Sequence, residues 1–182
     1  AVGQVIGSDG KNYAVNSLPT GVTAVAVIAY VNGNNGLALA LQDAGTMSWS
    51  DANTAAENAT PKFSNATWRV PTNEDWWKIF GQSGDVNTSS SLTSTSLSGY
   101  ILGADGSNFQ EAQNYWSGSE RGDDNAWTLN VMNANENNVN ANFNNMPKSN
   151  DNVYVRLCLA YWVITCTRSD KPRVRLFLFF LF

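Results

Sequence analysis

The 182-residue sequence predicts an α+β domain with two helices, small antiparallel sheets and a long irregular C-terminal region. Short apolar stretches near the N-terminus are divided by turn dipeptides, two segments open with helix-capping residues, and the C-terminal third is dense in asparagine. With 43% hydrophobic and 12% aromatic residues, the chain has material for one sizeable core.

Between Gly3 and Leu41 the segments QVIGSDGKNYAV, TAVAVIAYV and GLALALQDA read as short strands, with Asp9-Gly10 and Asn32-Gly33 supplying hairpin turns. Ser48 stands at the head of SWSDANTAAEN, where Trp49, Ala52, Ala55 and Ala56 recur at helical spacing, which predicts a helix over 49–58. Trp68 and Val70 suit a short strand. Pro71 disfavours helix just before it, and Thr72 with Asp75 forms a capping-box pattern that opens a second helix over 73–80. The bulky Trp76, Trp77, Ile79 and Phe80 exceed one narrow stripe and predict an indole in a cleft or against a loop.

The Ser/Thr-rich run from Gly81 to Gly99 lacks apolar periodicity and predicts a surface loop. After it, NYWSGSE, NAWTLNVMN and NVYVRLCLAYWV carry strand signals. The last of these is apolar on both faces and reads as a single central strand. Asp123-Asp124 behind Gly122 reads as a turn, with calcium binding as the sharper alternative.

A net charge of -4, with eleven scattered Lys and Arg, leaves little for the counterion release that drives nucleic-acid binding, so no nucleic-acid partner is expected. The absence of histidine removes the usual general base, the commonest zinc ligand and every Ser-His or Cys-His nucleophile. In an extended strand Cys158 and Cys166 would stand roughly 26 Å apart, so they pair only if the chain turns between them. Cys158, inside VYVRLCLAY, reads as a small buried apolar residue. The adjacent carboxylates Glu74-Asp75 and Asp123-Asp124 diverge on a helix or strand and make no acid–base dyad. No enzymatic activity, metal or cofactor is expected. Low charge with abundant Asn, Ser and Thr is typical of secreted or virion-surface domains. The chain begins at Ala1 with no leader pattern, which reads as a removed leader or a cut from something longer. No stretch approaches the roughly 20 apolar residues that span a bilayer.

Asparagine occupies 130, 133, 135, 137, 138, 140, 142, 144, 145, 150 and 152, nearly every second position. Asn is a poor strand and helix former, and when buried it must satisfy both ends of its amide, so this density predicts exposed loop and strand-edge surface. A low-complexity polar tract is the plainest account. It does not explain the interruptions by Val131, Met132, Val139, Phe143 and Met146, or the patterned strands on either side. The genetic code offers another account. Asn is encoded by AAC or AAT, and replacing either adenine never creates a stop codon, so such a segment suits adenine-directed diversification.

NYWSGSE (Asn114 to Glu120), AWTLNV (Ala126 to Val131) and YVRLCLAY (Tyr154 to Tyr161) resemble the C-terminal signature of C-type-lectin-like variable proteins of diversity-generating retroelements in gut bacteria and their phages. TAVAVIAYV, GLALAL, SWSDANTAAEN and WRVPTNEDW are similar to the same group, so the resemblance spans about residues 4–161. It implies a C-type-lectin-like fold over 1–161, with a variable segment over about 125–152 that an error-prone reverse transcriptase rewrites. The displayed residues would bind a protein or glycan ligand on another cell or surface, and the protein would sit outside the cell, on a bacterial surface or a phage particle. The implied ligand surface is Asn125, Asn130, Asn133, Asn135, Asn137, Asn138, Asn140, Asn142, Asn144, Asn145, Asn150 and Asn152, with Trp127 as an addition; Trp116 and Arg156 belong to the scaffold.

Two features depart from the family. The chain continues through a tail, 162–182, that carries Arg168, Lys171, Arg173 and Arg175 and ends in LFLFFLF. This tail packs against a partner or membrane, anchors an oligomer or fibre, or is read-through sequence. The segment also retains so many Asn that it resembles a little-diversified copy. Formylglycine-generating enzymes share the lectin-like fold but rely on cysteine chemistry, which Cys158 in a strand and Cys166 in the tail do not support. The alternative function is a non-diversified structural or adhesive module of a phage fibre or bacterial surface.

Overall fold

The computed structural model describes residues 1–82 and 91–162. Its first sheet is antiparallel and contains β1 (Val5–Gly7), β2 (Asn12–Tyr13), β3 (Ala24–Asn32), β4 (Asn35–Ala40), β6 (Ala66–Arg69) and β12 (Cys158–Trp162), in the order β2-β1-β3-β4-β12-β6. The second contains β5 (Thr46–Met47), β7 (Ser91–Ser94), β8 (Gln113–Glu120), β9 (Asn125–Ala134), β10 (Val139–Pro147) and β11 (Val153–Tyr154), in the order β5-β11-β8-β9-β10-β7. Only its β11–β8 pairing is parallel. Three α-helices complete the described residues: α1 (Trp49–Asn58), α2 (Asn73–Ile79) and α3 (Leu97–Gly103).

This architecture corrects the expected fold class. In place of a C-type-lectin-like α+β domain with two helices and small sheets, the described residues are mostly β, 42% strand against 18% helix, in two six-stranded sheets with three helices. The expected irregular C-terminal region is the longest paired ribbon of the second sheet, β9 against β10. Asn has low strand propensity, but Val139, Ala141 and Phe143 alternate with it and are buried, so packing of one face overrides propensity on the other.

The two helices anticipated from local signals form where those signals lie. Ser48 Oγ accepts the Asp51 N–H at 3.2 Å, and α1 runs over 49–58. In α2, Thr72 Oγ1 accepts from Asp75 N at 3.1 Å while Asp75 Oδ2 accepts from Thr72 N at 2.9 Å, a complete capping box. Neither indole of α2 lies in a cleft, because residues of both sheets pack around this helix in one cluster, but Trp76 does lie against a loop, at Phe109 between α3 and β8. Trp76 meets Phe80 and Phe109 edge-on, and Trp77 lies 5.8 Å from the Phe143 ring. The expected 81–99 loop contains β7, where Leu92 and Ser94 alternate inward, and the start of α3, where Leu97 and Ile101 bury one helical turn apart. Residues 83–90 of that expectation lie outside the described residues.

NVYVRLCLAYWV is not one strand. The chain leaves the second sheet after Tyr154, crosses through Val155–Leu157 and enters the first sheet at Cys158, so apolar residues on both faces reflect two sheets rather than one central position. Arg156, fully buried at the crossing, donates Nε to Asp43 Oδ1 at 2.6 Å and Nη1 to the Ser107 carbonyl at 2.7 Å, and its guanidinium lies over the Phe109 ring. The other oxygen of Asp43 accepts the Tyr115 hydroxyl at 3.0 Å. Burial raises the pKa of that hydroxyl and keeps it neutral.

Trp162 closes β12 opposite Asn35. Residues 163–182 of the tail, with Cys166 and the basic and apolar residues after it, lie outside the described residues. Cys158 is fully buried, and desolvation pushes its thiol up to about 12. Alkylation of the native protein at pH 8 is therefore expected to leave Cys158 unlabelled in peptide mass maps until urea unfolds it; labelling at the rate of a free thiol would contradict its burial. Asp43→Ala strands the Arg156 charge in the core, and urea unfolding should register a loss of about 3–5 kcal/mol.

Candidate ligand-binding face

The β9–β10 register decides which Asn side chains share a surface, because directly paired residues of an antiparallel sheet point the same way. Asn140 pairs with Asn133, Asn142 with Asn130 and Asn144 with Thr128. On either side, β7 sets Thr93 beside Asn140 and Ser91 beside Asn142, while β8 sets Asn114 beside Asn130. The result is a neutral polar field four strands, about 15 Å, across. Inward positions of the ribbon, Leu129, Val131, Val139, Ala141 and Phe143, are buried in the core between the sheets.

Only half of this outer face is open. Towards β5 and α1 it carries Trp116, Ala126 and Met146, which pack with Trp49, Ala52 and Val153 in a second apolar cluster. The Trp116 indole N–H donates to the Met47 carbonyl at 2.8 Å, and that of Trp49 donates to the Ser117 carbonyl at the same distance. Thr128, at the boundary, is buried; its hydroxyl and the Asn130 amide both donate to Asn114 Oδ1. A bulge between Asn140 and Ala141 leaves Met132 unpaired, and it stands 44% exposed beside the polar field.

The twelve expected ligand residues divide into three places. Asn130, Asn133, Asn140, Asn142 and Asn144 lie on the open field, half-buried against one another except the exposed Asn144. Asn135, Asn137 and Asn138 form the hairpin tip, where Asn135 Oδ1 accepts the N–H groups of Asn137 and Asn138 at 2.9 and 3.0 Å and its amide donates to Asn133. Asn125, Asn145, Asn150 and Asn152 lie at or beyond the other end of the ribbon. There Asn125 pairs with Pro147, Asn145 pairs with Trp127 on the opposite face, and Asn150 Oδ1 accepts from Asn152 N in the turn before β11. Trp127 does not join the field: it is buried, edge-on to Phe143, with the Arg121 guanidinium 4.5 Å from its ring.

Ser91, Thr93 and Asn114 belong to the field although the Asn density does not mark them. The alternation Ser91-Leu92-Thr93-Ser94 was the available signal, hidden in a Ser/Thr-rich run. At the Asp123-Asp124 turn, Lys148 Nζ donates to the Asp123 carbonyl at 2.9 Å and to Glu120 Oε2 at 2.6 Å, and among the described residues no three His, Cys, Asp or Glu side chains gather as metal ligands there. The chain matches no protein-family model and no curated protein.

The division has measurable consequences. Asn142→Ser, on the open field, should change stability by less than about 0.5 kcal/mol. Asn135→Ala removes the acceptor of two tip N–H groups and should cost about 1 kcal/mol. Trp116→Ala should cost roughly 3–5 kcal/mol as a large-to-small core change. Parallel urea titrations check the order, and equal losses at Asn142 and Trp116 would contradict a separable face and scaffold.

Proposed function

We propose that this protein is a hypervariable ligand-binding domain of the receptor-recognition or adhesion kind, similar in strategy to the variable proteins of diversity-generating retroelements. Its variable surface is the open half of the second sheet's outer face. The ligand is a protein or glycan on another cell or surface, met outside the cell from a bacterial surface or a phage particle. The reading includes no catalysis and no cofactor.

One observation carries it. Along β10 from Val139 to Phe143 the inward positions are apolar and buried, while Asn140, Asn142 and Asn144 point outward, so the residues with the most permissive codons lie where the fold asks least of a side chain. A surface meant to change must be separable from its scaffold in this way. Ordinary strands put a mixture of Lys, Glu, Thr and Gln on such a face; an unbroken Asn series has no folding rationale.

Sequencing this gene across many isolates tests the reading. Substitutions should concentrate in the codons of Asn130, Asn133, Asn140, Asn142 and Asn144, be confined to adenines, and spare Val131, Val139, Ala141 and Phe143. A reverse-transcriptase gene and a near-duplicate of the Asn-rich segment should lie nearby. Codons as invariant as those of the core, with neither neighbour present, would overturn diversification and favour a fixed adhesive module.

A further inference from the structure

A second opening lies on the first sheet, on the side that faces α2. Seven residues make α2 about 10 Å long, whereas nine-residue β3 runs about 30 Å, so the helix cannot cover the whole face. Register shows what lies past its cover. Asn35 is opposite Trp162, Leu37 opposite Ala160, and Ala160 opposite Thr67, all on one face. Together with Arg69 and Lys78 these residues bound a cleft of about 470 Å³. The small side chain of Ala160 leaves the volume open.

The chemistry of the walls is mixed. Trp162 is 44% exposed and is held through its backbone: the Trp162 main-chain N–H donates to the Asn65 carbonyl and the Trp162 carbonyl accepts from Asn65 Nδ2. Across from it, Arg69 is fixed by a 2.7 Å bond to Asp75, whose other oxygen is engaged by the α2 capping box, yet the Arg69 side chain stays 46% exposed. Thr67 and Asn35 are exposed and can each donate and accept. Charges cancel locally, Arg69 against Asp75 and Lys78 against Glu74, so the cleft does not select an ion.

From an exposed aromatic platform facing pre-positioned planar and hydroxyl groups, with no net charge, we infer that this cleft binds a neutral saccharide unit. The apolar C–H face of a pyranose ring rests on Trp162, and its hydroxyls, which both donate and accept, meet Arg69, Thr67 and Asn35. The volume suits one or two sugar rings. This site is distinct from the Asn field and does not depend on the reading of that field. It lies on the other sheet, away from the β9–β10 ribbon.

Saturation-transfer difference NMR on the full chain with methyl glycosides of glucose, galactose, mannose, fucose and N-acetylglucosamine tests it. At least one should receive saturation, with a dissociation constant of about millimolar, as expected for a single ring. Trp162→Ala should weaken binding by at least about tenfold and Trp162→Phe should restore much of it. Thr67→Tyr, which fills the cleft from an exposed strand position, should abolish binding with an unchanged melting curve and provides the test even if Trp162→Ala unfolds. No binding by any of the five sugars, or binding that survives Thr67→Tyr, would overturn the inference.

Discussion

The Asp43–Arg156 pair is the constraint on which the remaining structure depends. Arg156 has no exposed surface, and a buried guanidinium is tolerable only when its donors and charge are all engaged. Here Asp43 comes from just after β4, Ser107 and Asn108 from the segment after α3, and Arg156 from the crossing between the sheets. Tyr115 ties β8 to the same carboxylate. Four stretches of chain distant in sequence are thus fixed around one charge, and the two sheets cannot shift against each other without exposing or unpairing it. Such a cluster is not an efficient source of stability, since an apolar replacement of equal volume would pack as well. Its value is geometric, because it permits one arrangement and penalises others.

That rigidity bears on the Asn field. If the field varies as proposed, its side chains cannot contribute much to folding, so its orientation must come from elsewhere. Full burial of a large aliphatic or aromatic side chain stabilises by about 1.5–3 kcal/mol, whereas an exposed polar substitution changes stability by about 0.5 kcal/mol or less. Leu129, Val131, Val139 and Phe143 lie on the inner face of the same two strands, so the ribbon is held from beneath by terms several times larger than any its outer face supplies. The exception is the tip, where Asn135 serves as a turn residue.

How much could be read in advance follows the range of the forces. Both anticipated helices form because their signals are local: a Ser or Thr, a partner three residues on, and a periodic apolar face. The hairpin at Gly10 and the β3–β4 hairpin at Gly33 are legible for the same reason, each Gly taking the positive φ that the turn needs. The sheets were not legible. Whether Ser91–Ser94 is a loop or a strand depends on β10 being beside it, and whether Val153–Trp162 is one strand or two depends on Asp43, more than a hundred residues away. The Asn series showed its polarity but not its division into field, tip and far end, because a one-residue bulge and an Asx turn set that division and neither has a strong local signature.

The two openings differ in what each can afford to change. On the Asn field the neighbours of each side chain are other Asn, Ser and Thr side chains, and their backbones are held by sheet pairing, so a substitution meets soft contacts. In the cleft, Arg69 is bonded to the residue that closes the capping box of α2, and α2 carries Trp76 and Trp77 into the core between the sheets. A change at Arg69 would leave Asp75 buried without its cation and would reach the core through one helix turn. Variation tolerated on the Asn field is therefore costly at Arg69, though not at the exposed Thr67 and Asn35. Under the proposed function and the inferred saccharide site, recognition would be divided between a surface free to vary and a site tied through Arg69 to the fold, and the same sheet geometry that isolates the first connects the second to the core.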